Sequence, residues 1–483
     1  MASTAEVPPV NSEALDRKRR LRGAAVIAAL IGGMLLAGPP EGITVNGWRL
    51  LAIFAGTVLG LMLRPLPGGA VVMIGVTAVI VAGVMPIGEA LAGYGDPTVW
   101  LVLAAFFIAR ALLKTGLARR IALLFVRAIG HRSLGLAYAL IFSDVVLASI
   151  IPSNAARNGG VIMPIARSLA ELYGSFPGKT AAMLGTFLML AVYQGDVVAC
   201  AMFLTGQASN ALGAQIAGDV AGVQITWGRW LWVALAPALV SLLVTPAVVY
   251  RLSKPTITHT PAAAQFARDR LAEMGPMNRG EQFVLAIFLM VCGLWMTSAW
   301  HGFSTTLVAL LGVCVLFASG VLTWDDAMTE HRAWDVFIWY GGLVRMGQAL
   351  NEQGVTLWFS GRIGAQLTGW PWMAVLVLVI LVYFYSHYGY ASITAHIVSM
   401  YPPFLALLLA MGAPPQLAAF SLLFFANLDA GLTHYGTTPA PMYFALGYVG
   451  LGTWWRVAFL VGLTHLAVWG LVGFAWWKLL GLW

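Results

Sequence analysis

The sequence predicts an all-α polytopic membrane protein, with about 11 transmembrane helices plus two re-entrant hairpins arranged as an inverted repeat. Three observations carry that expectation. Of 483 residues, 60% are hydrophobic and only 10% are charged, so a soluble core is excluded. Apolar runs of about 18 residues or more, the length that crosses a bilayer, recur from end to end. Two longer apolar stretches are each broken in the middle by polar and small residues, and the two breaks resemble one another.

The elements follow in chain order. Residues 1–23 form an expected cytoplasmic tail ending in the basic segment "DRKRRLR" (Asp16 to Arg22), which holds that end inside by the positive-inside rule. Residues 24–47 contain the first, uncleaved helix (Ala24 to Leu36) and a loop. A first repeat, residues 48–250, holds spans Trp48 to Leu63, Ala70 to Val84, Thr98 to Leu113, Ala181 to Leu204 and Trp230 to Tyr250, with a hairpin over 133–172. A basic cytoplasmic linker covers 251–280. The second repeat, 281–483, holds spans Phe283 to Trp300, Thr305 to Leu322, Val336 to Met346, Leu417 to Leu446 and Trp455 to Trp477, with a hairpin over 371–411. Broken backbone at membrane depth is tolerated only where it is buried in protein or lines a watery cavity, which is why both interrupted stretches read as hairpins. The carboxy terminus then falls outside.

The net charge of +8 does not point to nucleic acid, because the basic residues cluster in blocks such as "LARRIALLFVRAIGHR" (Leu117 to Arg132) that sit on one side of this topology. The stretch "LLKTGLARR" reads as a solvated cytoplasmic end, and the "TWW" and "AWW" runs as interfacial anchors. Cys200, Cys292 and Cys314 lie singly in apolar runs, without disulfide or zinc spacing, and no cofactor is expected.

Aligning Ser153 with Ser392 sets "SNAARNGGVIMPI" against "SITAHIVSMYPPF", so that Ala155 meets Thr394, Arg157 meets His396 and Pro164 meets Pro403. Each hairpin is followed by a second polar break, "FLTGQASNAL" (Phe203 to Leu212) in the first half and "GLTHYGTTPAPMYF" (Gly431 to Phe444) in the second. Interrupted helices in corresponding places of two repeats point to a transporter's substrate site near the midplane. Hydroxyls, amides and free helix N-termini are what a carboxylate needs in exchange for its water shell. Ser153, Asn154, Ser392 and Thr394 at the tips are expected to bind the substrate, as are Thr205, Gly206, Asn210, Thr433, His434, Thr437 and Thr438 at the breaks. Arg157, four residues past Ser153, is expected one helical turn below the tip and facing the same way, with His396 as its counterpart. An intramembrane arginine demands a partner, and the alternative to a bound anion is a nearby acid, Asp144 or Asp196. Asn427 and Asp429 read as braces of the second break, and His387, like His434, reads equally as a brace or as a substrate ligand.

These four motifs, from "PSNAARNGGVIMPI" through "FLTGQASN" and "YASITAHIVSMYPPF" to "LTHYGTTPAPMYF", resemble the divalent anion/sodium symporter superfamily over roughly Trp48 to Trp477. The nearest branch is that of 2-oxoglutarate/malate translocators and citrate/succinate or tartrate/succinate antiporters. The resemblance implies a homodimer with a scaffold and an elevator-like transport domain, C4–C6 di- or tricarboxylate substrates and the bilayer as environment. Sodium-coupled members carry Ser-Asn-Thr at each tip, whereas this chain has Ser153-Asn154-Ala155 and Ser392-Ile393-Thr394. An isoleucine offers a hard cation no side-chain oxygen, so sodium-independent exchange is expected, with at most a residual sodium site at Ser153, Asn154 and the Gly206 carbonyl. A sodium-coupled symporter of the same fold is the alternative. An intramembrane enzyme is remote, since no H-E-x-x-H or G-x-S-x-G pattern occurs. Length and the lack of a transit peptide point to a bacterial inner membrane.

Overall fold

The computed structural model describes residues 12–483, with side chains from Arg20 onward, so most of the basic segment Asp16 to Arg22 lies outside the described side chains. The first helix, Ser12–Ala37, begins within the expected tail. Among the described residues the chain is helical throughout, apart from one isolated bridge between Arg132 and His259. Nine described helices are long and apolar enough to cross a membrane, and three shorter apolar ones, Gly68–Val81, Ser133–Ala148 and Thr305–Ala318, join them.

Local sequence sets the ends of these helices. Asp96 accepts from Thr98 N at 2.8 Å and Pro97 opens the first turn of Pro97–Thr115, which stops at Gly116 with φ +85°. Asn278 and Glu281 form a reciprocal capping box for Arg279–Met296. Two helices, Gly185–Met202 and Pro415–Leu428, are predominantly apolar and buried almost along their whole length, with Asp196 and Asn427 among the few polar side chains they carry into the core.

Both interrupted stretches are helix, break, helix. Ser133–Ala148 ends before Pro152, which holds Ile151 out of the helical region, and the chain returns as a π-helical segment Ala155–Ile162 running into Met163–Leu172. Trp372–Ser386 ends in the turn His387–Gly389 and returns as Ile393–Ala410. Each returning arm is capped by the serine at its tip. Ser153 Oγ accepts from Ala156 N at 3.2 Å and Ser392 Oγ from Ala395 N at 3.4 Å.

The halves are exchanged at their breaks. The helix after the first break, Ala208–Ala221, packs on the second hairpin's Ile393–Ala410, and the helix after the second break, Pro439–Ala445, packs on the first hairpin's Ala155–Ile162. Gly213 of Ala208–Ala221 packs closely on Pro415–Leu428: a Cβ there would sit 2.2 Å from Leu423 Cδ2, so a larger residue would push that side chain aside.

Three expectations are corrected. Leu417 to Leu446 is not one span, because Pro415–Leu428 stops at a 3₁₀ turn, Asp429–Leu432, and the chain resumes helix only at Pro439. The stretch "LLKTGLARR" is solvated only in part, with Lys114 and Arg119 exposed. It opens a helix, Leu117–Ile129, whose Arg120 is buried and donates twice to Glu281 at 2.7 and 3.0 Å, under the linker helix Pro261–Met274. Lys114 pairs with Asp326; burial raises that carboxyl, but donors from Lys114 and Thr323 outweigh it and hold it at about 2. Nor are all the terminal tryptophans interfacial: Trp454 packs on Tyr193 at 5.0 Å between centroids, and Trp477 donates from the core to Val233 O at 3.0 Å. Trp455, beside them, does stay partly exposed.

Candidate functional site

A cavity of about 930 Å³ opens where the two tips and the two breaks meet. Pro152 to Ala155 line it from the first tip, Ser392 to Thr394 from the second, Gln207 to Ser209 from the first break, and Thr437 and Thr438 from the second. Four helices therefore begin at its wall: Ala155–Ile162, Ala208–Ala221, Ile393–Ala410 and the short Pro439–Ala445. The first three bring helix N-terminal N–H groups and the positive ends of their dipoles to one volume, which suits an anion, whereas the fourth, with Pro439 and Pro441 in its first turn and Ala440 N bonded to Thr437 O, brings the Thr437 and Thr438 hydroxyls instead. Arg20, Arg64 and Arg332 also line it, with Asp335 as the carboxylate among its lining residues. Asp335 is partly occupied, since its Oδ1 accepts from Gly69 N at 2.9 Å. Arg64 donates to Ala391 O at 3.1 Å, one residue before the second tip's serine.

Of the residues expected from sequence, Ser153, Asn154, Ser392, Thr394, Thr437 and Thr438 are brought together here. The halves are stitched across it by Asn154 Nδ2, which donates to Thr437 Oγ1 at 2.8 Å. The others stand behind the wall. Thr205 donates to Ser149 O at 2.6 Å and accepts from Trp227 Nε1 at 2.9 Å. Asn210 donates to Cys200 O and Phe203 O at 2.8 and 3.0 Å and accepts from Asn427 at 2.8 Å, tying the two breaks together as a brace. Thr433 is fully buried, and His434 accepts from Trp455 Nε1 at 3.2 Å. Gln207 and Ser209 were missed, though both lie inside the quoted motif "FLTGQASN". Which of its polar residues face the cavity depends on the helix starting at Ala208, and no spacing rule fixes that start within two residues. The arginines come from distant elements without any motif.

Arg157 does not face the cavity. It is fully buried behind the first tip, and the alternative partners take it: Nε donates to Asp144 Oδ1 and Nη2 to Asp196 Oδ1, both at 2.7 Å. Nη1 donates to Ile151 O and Gly206 O at 3.0 and 2.9 Å. Glycine is needed at 206 because a Cβ there would lie 2.5 Å from the backbone oxygen of Cys200, where the break folds back on the helix before it. The carbonyl expected for a residual sodium site is thus already held by a guanidinium. His396 is likewise fully buried behind the second tip, its Nδ1 3.3 Å from Asp429 Oδ2, with His387 Nδ1 3.2 Å from Asp429 Oδ1. In Arg157 and His396, the repeat therefore sets two basic groups at equivalent depths, each with acidic company.

Helices of membrane-crossing length, two interrupted repeats and a cavity ringed by helix N-termini define a multi-pass membrane transporter and not an enzyme. The sequence matches the family described as "Sodium:sulfate symporter transmembrane region" over residues 18–483. The chain belongs to this family, within the divalent anion/sodium symporter superfamily. It is 45% identical over 445 residues to the putative malate transporter YflS of Bacillus subtilis, covering 92% of this chain and 93% of the relative. It is 40% identical over 470 residues to dicarboxylate transporter 1, chloroplastic, of Arabidopsis thaliana, covering 96% and 84%. With the citrate/succinate antiporter of Escherichia coli K12 it shares 32% over 474 residues, covering 94% and 96%. The fold is similar to that of the Alcanivorax borkumensis YdaH transporter, with a TM-score of 0.51 at 15% identity over 81% of this chain and 87% of that one.

Proposed function

We propose that the protein exchanges C4–C6 di- or tricarboxylates across a bacterial inner membrane, independently of sodium, by an elevator movement of the two hairpins and their partner helices in a homodimer. The observation that carries this reading is the convergence of four helix starts, two from each half, on one cavity furnished with hydroxyl and amide groups and arginines. A dianion bound there meets donors on all sides without needing a co-bound cation. Against sodium stand the isoleucine at the second tip and the guanidinium on the Gly206 carbonyl, since both remove oxygens that a hard cation needs. The relatives named for malate, dicarboxylates and citrate/succinate antiport support the substrate class and the exchange mode. The mutual packing of each hairpin with the other half's break helix supports their moving as one body. The basic blocks around Arg119 to Arg132 and Arg251 to Arg279 support an amino terminus inside and a carboxy terminus outside.

The test is uptake of labelled succinate by proteoliposomes loaded with succinate, malate or nothing. Uptake should require internal dicarboxylate and change by less than about twofold when choline replaces sodium, since the sodium ligands are absent. A steep, sigmoidal sodium dependence with empty vesicles would overturn exchange in favour of symport.

A further inference from the structure

Behind the second hairpin tip, three elements bring His387, His396 and Asp429 together, all of them fully buried. We propose that this triad is a binding site for a divalent transition metal ion of the zinc class, with His387 Nδ1, His396 Nδ1 and the Asp429 carboxylate as its ligands. The site lies outside the cavity and is independent of what the cavity carries.

The outer hydrogen bonds fix both rings. His387 Nε2 lies 3.0 Å from Gly436 O, a group that only accepts, so Nε2 carries the proton and donates. His396 Nε2 lies 2.9 Å from Ser386 Oγ, whose own proton goes to Tyr383 O at 2.7 Å, so Ser386 can only accept from the ring. Each Nδ1 is therefore unprotonated and lies beside the carboxylate, 3.2 and 3.3 Å away. Two lone pairs and a carboxylate share a dry interior, which is unfavourable unless a cation, or a proton on the carboxylate, sits among them.

The geometry separates an ion from a shared proton. Neither Nδ1 and neither Asp429 oxygen has a hydrogen-bond partner among the described residues, so a proton on Nδ1 would not be aimed at the oxygen beside it. Ligands of one ion have this relation: their lone pairs point at a common centre and not at each other. In a tetrahedral site with bonds of about 2.0–2.1 Å, neighbouring ligand atoms lie about 3.3–3.4 Å apart; each Nδ1 is 3.2 or 3.3 Å from its own carboxylate oxygen, and one ligand atom from each residue falls within 4.8 Å of the others. Imidazole nitrogen selects a transition divalent cation over sodium, calcium or magnesium. A carbonyl and a hydroxyl accepting from the rear nitrogens are the outer partners that metal-bound histidines ordinarily have. Bound metal would clamp the turn at His387–Gly389, the returning arm and the end of Pro415–Leu428 to one another, holding Ser392 and Thr394 in place at the cavity.

Because the triad is fully buried, the ion should enter during folding, so the experiment uses untagged full-length protein produced in minimal medium supplemented with cobalt alone or zinc alone. Elemental analysis should find a single metal ion per chain. The cobalt protein should show the visible bands of a four-coordinate ion without thiolate charge transfer, and its paramagnetic proton spectrum should contain two shifted, exchangeable histidine Nε2–H signals. His387→Gln and Asp429→Asn should lose the metal, while Ser386→Ala should hold it about 10- to 100-fold more weakly. Wild-type protein without metal, cobalt bands carrying a thiolate signature, or metal retained by both ligand variants would each overturn the site. If the ligand variants do not fold, the wild-type metal content and its two histidine signals decide alone.

Discussion

Behind each hairpin tip the protein buries a basic residue at the same repeat position, and the two halves satisfy it in different ways. In the first half Arg157 is bound on every side: two carboxylates, two carbonyls and the Cys200 sulfur take its donors, and Asn158 joins Asp144 to Tyr443. In the second half His387 and His396 use only their outer nitrogens, and four polar atoms facing inward have no partner among the described residues. The first half has its cation built into the chain, and of its two carboxylates only Asp196 Oδ2 is without a partner among the described residues. The second gathers two imidazoles and a carboxylate with no charged side chain among the described residues to pair with them. A symmetric fold can thus satisfy one half with a guanidinium and offer ligands in the other, provided the side chains at the equivalent site differ in charge and not only in size.

The largest expected effect comes from breaking the network around Arg157. Arg157→Leu leaves Asp144 and Asp196 buried and facing each other without a counter-charge, which should destabilise the protein by about 3–5 kcal/mol. Monodisperse protein in detergent should fall to a small fraction of the wild-type yield on size exclusion. Wild-type yield and melting temperature would mean that the two acids are compensated in some other way, and the contrast between the halves would collapse.

Much of this was legible before any coordinates. The two breaks and their correspondence could be read because Ser, Asn, Gly and Pro interrupt apolar runs at matching places, and a polar interruption at membrane depth has few physical explanations. The partners of Arg157 were among the alternatives, since only Asp144 and Asp196 lie in the neighbouring apolar runs. Its direction was not legible: four residues past their tips, Arg157 in the π-helical Ala155–Ile162 and His396 in the α-helical Ile393–Ala410 both lie behind the wall beside buried acids, a placement set by tertiary packing and not by spacing from the tip. The arginines of the cavity were also invisible, because Arg64 and Arg332 are brought to it by tertiary packing alone. The convergence of His387, His396 and Asp429 belongs to the same class, as Asp429 lies 33 residues beyond His396 with a buried helix between them.

The tips themselves differ, and a smaller effect should follow. Asn154 presents an amide at the first tip where the second has Ile393. A hydrogen bond lost to a charged ligand group costs about 1.5–3 kcal/mol, so Asn154→Ala and Thr394→Ala should each weaken succinate binding roughly ten- to hundredfold. Ile393→Ala, which removes no hydrogen bond, should weaken it far less. Folded yield should stay near wild type in all three, as followed by thermal shift against a succinate series. Equal losses for Asn154→Ala and Ile393→Ala would show that the tips act by shape and not by polar contact.

The finest discrimination is between two buried tyrosines. Tyr443 donates its hydroxyl to Asn158 Oδ1 within the first network, whereas the hydroxyl of Tyr383, whose ring lies 4.2 Å from that of His396, has no partner among the described residues. Removing one member of a satisfied pair costs the bond and strands the other member, so Tyr443→Phe should destabilise by about 1–3 kcal/mol. Removing a buried hydroxyl that bonds to nothing relieves its desolvation, so Tyr383→Phe should be neutral or slightly stabilising. The two substitutions delete the same atom from the same residue type at full burial, which makes volume and side-chain entropy cancel. Their melting temperatures should therefore split in opposite directions around the wild type. If Tyr383→Phe proves as costly as Tyr443→Phe, the second half holds a bonded network of its own, and the asymmetry between the two buried centres is smaller than their hydrogen bonds indicate.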